Sequence, residues 1–319
     1  MNITVLGCGR WASFQAWYAH RCGHGVRMWG REGFADIEGL IQTRKNAYLT
    51  LPDAVELTTS LSDAVAHADD ILISISAQGL RELATQLQAF DLSGKRFLLC
   101  MKGMEQDTGK RLTAVMRECI SQQVGIAVLA GPGHVQSYTA GIPGAQVVDS
   151  DDKALTRHFA QALGSDLIRL YIGSDLIGTE IGAAAKNVLG LAAGMLDGFH
   201  YESLKGALMA RGAREVARLI AAMGGSEMSA YGLCHLGDFE ATLFSHFSNN
   251  RAFGEGFVKG ERFDMLAEGV YTVRALVTLS EQLDVDMPIS RAVDNIVHHG
   301  ADPETELTAM FLRSQKEEF

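Results

Sequence analysis

The sequence predicts an α/β domain built on a mostly parallel, doubly wound sheet, followed by an all-α domain, and three observations carry this reading. Short apolar or β-branched runs alternate with helical patterns through the first 172 residues. The strand signals then stop after Ile172. A glycine turn, Gly7-Cys8-Gly9, directly follows the first strand. Strand–helix alternation with apolar strands is the pattern of a parallel sheet covered on both faces. The change of period sets the domains at 1–172 and 173–319.

The first strand candidate is Ile3–Leu6, whose apolar residues run into the glycine turn. Trp11–Cys22 then has helical spacing and stops at Gly23-His24-Gly25, ahead of a second strand at Val26–Trp29. Further strands are expected at Leu57–Thr59, Ile71–Ile75, Phe97–Met101, Ile126–Leu129, Gln146–Val148 and Ile168–Tyr171. Helices at Leu61–Ala68, Leu80–Leu87, Gly109–Ile120 and Lys153–Leu163 fall between them. Beyond Ile172 the expected helices are Leu176–Asp197, Leu204–Met223, Gly269–Leu283, Ile289–His299 and Glu304–Lys316. Gly224-Gly225, Pro288, Gly300 and Pro303 punctuate them, with no internal repeat and no low-complexity linker.

The 319 residues are 47% hydrophobic and 21% charged, a soluble globular composition with room for a core in each half. Lys plus Arg 28 against Asp plus Glu 38 leaves a formal charge of −10, which opposes a general nucleic-acid or acidic-membrane binder. Glycine is enriched, 34 of 319, so tight turns and close backbone approaches are expected. The longest apolar run, Ile181–Leu196, contains Lys186 and is short for a bilayer, so no integral membrane span is expected. Cys8, Cys22, Cys100, Cys119 and Cys234 are widely spaced and odd in number, the pattern of reduced thiols. With an N-terminus that enters an apolar strand at once, the expected compartment is the cytoplasm. The histidines form no metal-ligand pattern, and no metal is expected. Oligomeric state is not fixed by the sequence, and a homodimer stays open.

Gly7-x-Gly9-x-x-Ala12 between a strand and a helix reads as a dinucleotide-binding turn. The first glycine permits the tight turn, the second lets backbone approach a pyrophosphate, and the small third residue lets helix pack on strand. Amides at the helix N-terminus then face the phosphates. The expected cofactor is NAD or NADP. The second strand ends in Trp29-Gly30-Arg31-Glu32, where Arg31 suits a 2′-phosphate and Glu32 suits ribose hydroxyls.

Within Ile181–Leu196 the polar residues are Lys186 and Asn187 alone. A helix apolar on nearly all sides is buried, and a buried ammonium is costly unless it is paired or functional. Burial beside positive charge would lower its pKa toward that of a general base. The alternative is a lysine at a helix kink, paired with a carboxylate. Lys102 follows the fifth strand, at the sheet edge where ligands bind, and is placed to meet an anionic substrate; a solvated loop lysine is the alternative. Asp238 precedes Thr242 by four residues, so on a helix the two share a face, although Asp238 also suits an N-cap.

These residues belong to a wider set: Gly7-x-Gly9-x-Trp11, Lys102-Gly103-x-Glu105-x-x-Thr108-Gly109, Gly131-Pro132, Ile177-Gly178-x-Glu180-x-Gly182 and Ala185-Lys186-Asn187-Val188. Further on come Ala207-Leu208-x-x-Arg211-Gly212, Gly237-Asp238, Ser248-x-Asn250-Arg251-x-Phe253-Gly254 and Glu268-Gly269. On this set the chain resembles, nearly end to end, the NAD(P)-dependent glycerol-3-phosphate dehydrogenase family. The resemblance implies an N-terminal Rossmann domain and a helical C-terminal domain of the 6-phosphogluconate-dehydrogenase-like type. It also implies a small-molecule substrate and reversible hydride transfer between NAD(P)H and dihydroxyacetone phosphate, giving sn-glycerol 3-phosphate. It implies Lys186 as the proton acceptor at the substrate hydroxyl, Lys102 as a substrate-contacting lysine, and Asp238 and Thr242 as residues that orient Lys186 and the substrate. Substrate binding would involve Asn187, Gly131, Ser248, Asn249, Asn250 and Arg251. Cofactor contacts would come from Gly7, Gly9, Arg10, Trp11, Lys102, Val135 and Glu268, with Arg31 added at the end of the second strand.

The chain departs from that family at three places. Arg10 and Ala12 replace a serine and a glycine of the dinucleotide turn, and Gly133-His134-Val135 stands where the family has Ser/Thr-Phe-Ala. Asn249 occupies the position of the arginine that grips the substrate phosphate. A neutral amide does not reproduce a charged, bidentate guanidinium, so Arg251 or Arg10 must compensate or the substrate is not a phosphate monoester. The departure leaves two other readings, a same-fold dehydrogenase acting on a different small hydroxy substrate and a weakly catalytic NAD(P)-binding sensor.

Overall fold

The computed structural model describes residues 1–310, and all eight expected strands form in it. They are β1 (Asn2–Leu6), β2 (Gly25–Trp29), β3 (Glu56–Thr58), β4 (Asp70–Ile73), β5 (Arg96–Leu99), β6 (Gly125–Ala130), β7 (Gly144–Asp149) and β8 (Ile168–Ile172). They make one sheet in the order β3-β2-β1-β4-β5-β6-β7-β8, parallel throughout except for the antiparallel pair β6–β7. Helices α1 (Arg10–Arg21), α2 (Ala35–Thr43), α3 (Leu61–His67), α4 (Leu80–Leu87), α5 (Leu112–Cys119), α6 (Val135–Thr139) and α7 (Lys153–Leu163) connect the strands.

Alternating side chains explain why both faces are covered. Leu72, Leu98, Ala127 and Leu129 lie in one buried cluster with Phe14 and Tyr18 of α1 and Phe159 of α7. Ile71, Ile73, Phe97, Leu99, Ile126 and Val128 lie in another with Leu80, Leu83 and Leu87 of α4 and Met116 of α5. The order 3-2-1-4 reverses direction between β1 and β4, and a doubly wound sheet opens its ligand crevice at that reversal.

Beyond β8 the chain is helical: α8 (Leu176–Gly198), α9 (Lys205–Ala222), α10 (Asp238–Phe244), α11 (Asn249–Val258), α12 (Glu268–Gln282), α13 (Pro288–His299) and α14 (Pro303–Ala309). Of the helix expected at Glu304–Lys316, residues 311–316 lie outside the described residues. Two compact units are present, Met1–Lys102 with Arg111–Glu180, and Gly103–Lys110 with Ile181 onward. The start of α8 belongs with the first unit because buried carboxylates hold it there. Asp149 accepts from Asp175 N and Thr179 Oγ1, and Glu180 accepts from Arg111 and from Thr113 N and Oγ1. In the second unit the buried Glu215 of α9 accepts from Ile289 N, Ser290 N and Ser290 Oγ, closing the N-terminus of α13.

Four helices appear that the sequence pattern does not announce, and one of them, α6, has five residues and is too short to show a period. In α2 only Ile37 and Leu40 are buried, too few to set a period. In α10 and α11 the cause is packing. Gly254 interrupts α11 in sequence, yet a methyl there would overlap the Leu191 carbonyl of α8. One at Gly194 of α8 would in turn overlap the Arg251 carbonyl. The expected helix at Gly109 starts later, at Leu112, because Gly109 has φ +67.

These glycines divide into two kinds. Gly254→Ala forces backbone apart and is expected to destabilise by about 3 kcal/mol or more. Gly39→Ala, in α2 with nothing within 4 Å of a new Cβ, is expected to stabilise by about 0.5–1 kcal/mol. Urea midpoints of both variants measure the contrast, and equal effects would contradict the packing account.

Candidate active site

In the first unit β1 delivers Gly7 at φ +128, where a methyl would overlap the Ser74 carbonyl just beyond β4. Ala12 sits 3.2 Å from that point, which explains the need for a small third residue in the turn. Gly9 is the N-cap of α1, with no side-chain cap, and a Cβ on it would meet nothing within 4 Å. The helix N-terminus therefore opens on space beside glycine, at the sheet's reversal, where its backbone N–H groups and dipole favour an anion. The pyrophosphate of NAD(P) fits this cradle.

Lys102, three residues beyond β5, donates from Nζ to the Gly131 carbonyl at 2.7 Å and lies 5.7 Å from the centre of the Trp11 ring. Gly131 has φ +126, and a Cβ on it would stand 2.9 Å from Gln146 Cα. Trp11, Lys102 and Gly131 are thus brought together. Val135 starts α6 and is buried in the cluster around Phe14 and Tyr138. Arg31 pairs with Glu82 at 2.9 Å, and the Arg10 guanidinium stands 5.6 Å from the centre of the Tyr48 ring.

In the second unit α8 carries Lys186 and Asn187 on a helix whose row Gly182, Lys186, Gly190, Gly194 and Gly198 repeats every four residues. Such a row forms one packing ridge. Lys186 Nζ donates to Thr242 Oγ1 at 3.1 Å and lies 3.4 Å from Asp238 Oδ1, with its side chain 12% exposed. Asp238 opens α10, and Thr242 donates back to the Asp238 carbonyl at 2.8 Å, so the expected shared face exists. A π-helical turn, Leu233–Gly237, precedes Asp238. It buries His235 fully and lets its Nδ1 donate to the Gly182 carbonyl at 2.9 Å. Burial pushes the His235 pKa down to about 4, with Lys186 adding to the effect against Gly182 and Asp238.

α11 supplies the remaining predicted residues. Ser248 is its N-cap and accepts from Arg251 N at 3.3 Å. Asn249 donates to the Leu266 carbonyl at 3.0 Å. Asn250 is buried and joins Asn187 and Gly269, each at 2.9 Å. Arg251 is held by Asp197, by the Ser245 carbonyl at 3.2 Å and by Glu255 at 3.3 Å. Asp197 also pairs with the buried Lys205 at 2.5 Å. Glu268 opens α12, where a carboxylate suits the helix dipole. The sequence reading missed His235 and Asp197. The four-residue glycine spacing around Lys186 was a visible signal for the packing, whereas nothing local in the sequence pairs Asp197 with cations on α9 and α11. Among the described residues no group of His, Cys, Asp or Glu is placed to hold a metal, and no helix is long and apolar enough to cross a membrane.

Known proteins resemble this chain over nearly its whole length. Residues 2–156 match the family model for the NAD-dependent glycerol-3-phosphate dehydrogenase N-terminus, and residues 175–308 match the C-terminus model. A glycerol-3-phosphate dehydrogenase [NAD(P)+] of Prosthecochloris aestuarii is 35% identical over 333 residues, covering 100% of both chains. One of Nitrosomonas eutropha is 34% identical, covering 98% of both. The crystal structure of glycerol-3-phosphate dehydrogenase from Coxiella burnetii superposes with a TM-score of 0.91 at 26% identity, covering 98% of this chain and 99% of that one.

The depressed pKa of His235 has a signed consequence. Its folded value of about 4 lies below the unfolded value near 6.5, so the unfolded chain binds more protons between the two. The neutral imidazole's contribution is fully present above pH 6.5 and is lost as pH falls toward 4. Relative to His235→Asn, the wild type is expected to lose on the order of 3 kcal/mol between pH 7 and pH 4. Urea unfolding of both proteins at several pH values measures this, and a constant difference would contradict it.

Proposed function

The chain belongs to the NAD-dependent glycerol-3-phosphate dehydrogenase family, and from that premise we propose that it transfers hydride reversibly between NAD(P)H and dihydroxyacetone phosphate, giving sn-glycerol 3-phosphate. It is an NAD(P)-dependent oxidoreductase acting on a CH–OH group. The observation that carries the mechanistic reading is Lys186, an ammonium on an apolar helix held at 3.1 Å by Thr242 and 3.4 Å by Asp238.

When bound, NAD(P) supplies or accepts the hydride. As the ammonium Lys186 gives a proton to the carbonyl oxygen during reduction and becomes the neutral amine, and only as the neutral amine does it take the proton of the substrate hydroxyl during oxidation. Asp238 and Thr242 fix its Nζ, so the proton moves along a preset direction. Lys102 adds positive charge for the substrate oxygen. Gly7, Gly9, Arg10, Trp11, Arg31, Val135 and Glu268 serve the cofactor. Asn187, Gly131, Ser248, Asn249, Asn250 and Arg251 serve the substrate, with residues 1–172 as the dinucleotide-binding domain and 173–319 as the substrate domain. We also infer a cytoplasmic homodimer. The absence of a disulfide among the described residues accords with a reducing compartment, and exposed Phe244, Phe247, Met265 and Leu266 offer apolar surface to a second copy.

A second reading, a different small hydroxy substrate, is favoured by one feature. Asn249 is neutral, and the Arg251 guanidinium is engaged by Asp197. A steady-state assay with dihydroxyacetone phosphate and NADH or NADPH is expected to show turnover, and Lys186→Ala is expected to lower kcat at least about 100-fold. Silence with both cofactors would sink the first reading. Asn249→Arg separates the two: a gain of about tenfold or more in kcat/KM on dihydroxyacetone phosphate favours the second, and no gain favours the first.

A further inference from the structure

The end of β2 is tied to the dinucleotide turn. Gly7 N donates to the Trp29 carbonyl at 2.9 Å. The next residue, Gly30, closes on the same turn, since a Cβ there would stand 2.9 Å from Cys8 Sγ and 2.5 Å from Ile37 Cβ. Arg31 follows at once, so its guanidinium springs from backbone beside the phosphate cradle. In a doubly wound sheet the adenosine ribose meets the residues just past the second strand while the pyrophosphate sits at the helix N-terminus. Arg31 Cζ also lies 5.6 Å from the centre of the ring of Phe34, the residue before α2.

A second segment holds Arg31 from the other side. Its Nη2 donates to Glu82 Oε1 at 2.9 Å, and that oxygen also accepts from Gln86 Nε2 at 3.2 Å. Glu82 is in the first turn of α4, where the helix dipole favours a carboxylate, and Gln86 lies one turn further on. β2 and β4 flank β1, so the ion pair joins segments from either side of the strand that carries the turn. The two side chains are 45% and 57% exposed, and an ion pair so placed is weak enough for a ligand to replace it.

A phosphate monoester carries a charge of about −1.5 to −2 and binds best to a guanidinium that can offer it two donors. Glu82 already takes one donor of Arg31 and adds a like charge beside it. A ribose hydroxyl brings no charge and is not repelled. We propose that Glu82 is a specificity-determining residue for the cofactor: by holding Arg31 it weakens NADP(H), whose 2′-phosphate must displace it, and leaves NAD(H) unaffected. The proposal rests on the reading above that the cofactor is NAD(P) and that Arg31 serves it. Selectivity then comes from a repulsive group placed against one of two ligands.

Calorimetric titration of the whole protein with NADP+ and with NAD+, at one ionic strength and without substrate, tests this. Glu82→Gln keeps the side chain's size and removes its charge. It is expected to lower the Kd of NADP+ at least about fivefold and to move that of NAD+ less than about twofold. In Arg31→Gln the same change is expected to give at most about half of that gain, because the guanidinium it would release is gone. An unchanged Kd for NADP+, equal gains for the two cofactors, or an equal gain in the two backgrounds overturns the proposal. Binding of neither cofactor defeats the cofactor reading and the proposal with it, whereas binding of both without the shift defeats the proposal alone. Turnover does not enter the measurement, so the identity of the hydroxy substrate leaves the result unaffected.

Discussion

Direct backbone contact between α8 and the segments α10–α11 is the constraint on which the second unit depends. In the row from Gly182 to Gly198, four of five residues lack a side chain, and each meets something that leaves no room for one. Gly182 faces Cys234 and His235, Gly190 faces Thr242 and Asn250, Gly194 faces the Arg251 carbonyl, and Gly198 faces Val258. The exception is Lys186. A long charged side chain in a ridge of glycines fits only where the neighbouring segment offers room and polar partners, and Asp238 and Thr242 supply both. The same close approach brings Asn250 to Asn187 and Gly269. Placement of the ammonium and the joining of the two amides are therefore two results of one packing surface.

At the end of that helix Asp197 serves as an electrostatic clasp. It accepts from Lys205 at the start of α9 and from Arg251 on α11, and all three are largely buried. A buried carboxylate with two cationic partners is costly to break, because removing either side strands a charge. His235 meets the opposite requirement. It lies against the same helix but stays neutral, since a second buried cation near Lys186 would have no counter-charge of its own. Along this helix the buried charges are paired, Lys186 with Asp238 and Asp197 with Lys205 and Arg251.

Arg251 shows how a residue's type can mislead about its availability. From sequence it is a candidate to replace the cation missing at Asn249. In the fold its guanidinium faces Asp197, Glu255 and the Ser245 carbonyl, so its donors stabilise α11. The chain thus keeps the Lys186, Asp238 and Thr242 cluster, while Asn249 offers a neutral amide and Arg251 is already engaged. The first unit departs less: Ala12 in place of glycine is tolerated because a methyl still fits between α1 and the Gly7 turn.

Much of this was legible in the sequence, because the features concerned are local. Eight strands, a mostly parallel sheet and the phosphate-cradling turn follow from apolar alternation and from glycines at fixed offsets, which act within a few residues of themselves. Lys186 was conspicuous as a charge in an apolar run, and the Asp238–Thr242 pair followed from helical spacing. The sequence did not announce α2, α6, α10 or α11, since α2 buries too little and α6 is too short to show a period, and α11 contains glycines that read as breaks. Those glycines mark contact with α8, and only the tertiary structure shows that partner. Nor could the sequence reveal that Asp197 takes both Lys205 and Arg251, that His235 is buried and neutral, or that Asn250 joins Asn187 and Gly269. Each of these depends on atoms from segments far apart in the chain. A residue's chemistry is written in its type, but which of its donors and acceptors are already spent is decided only when the helices meet.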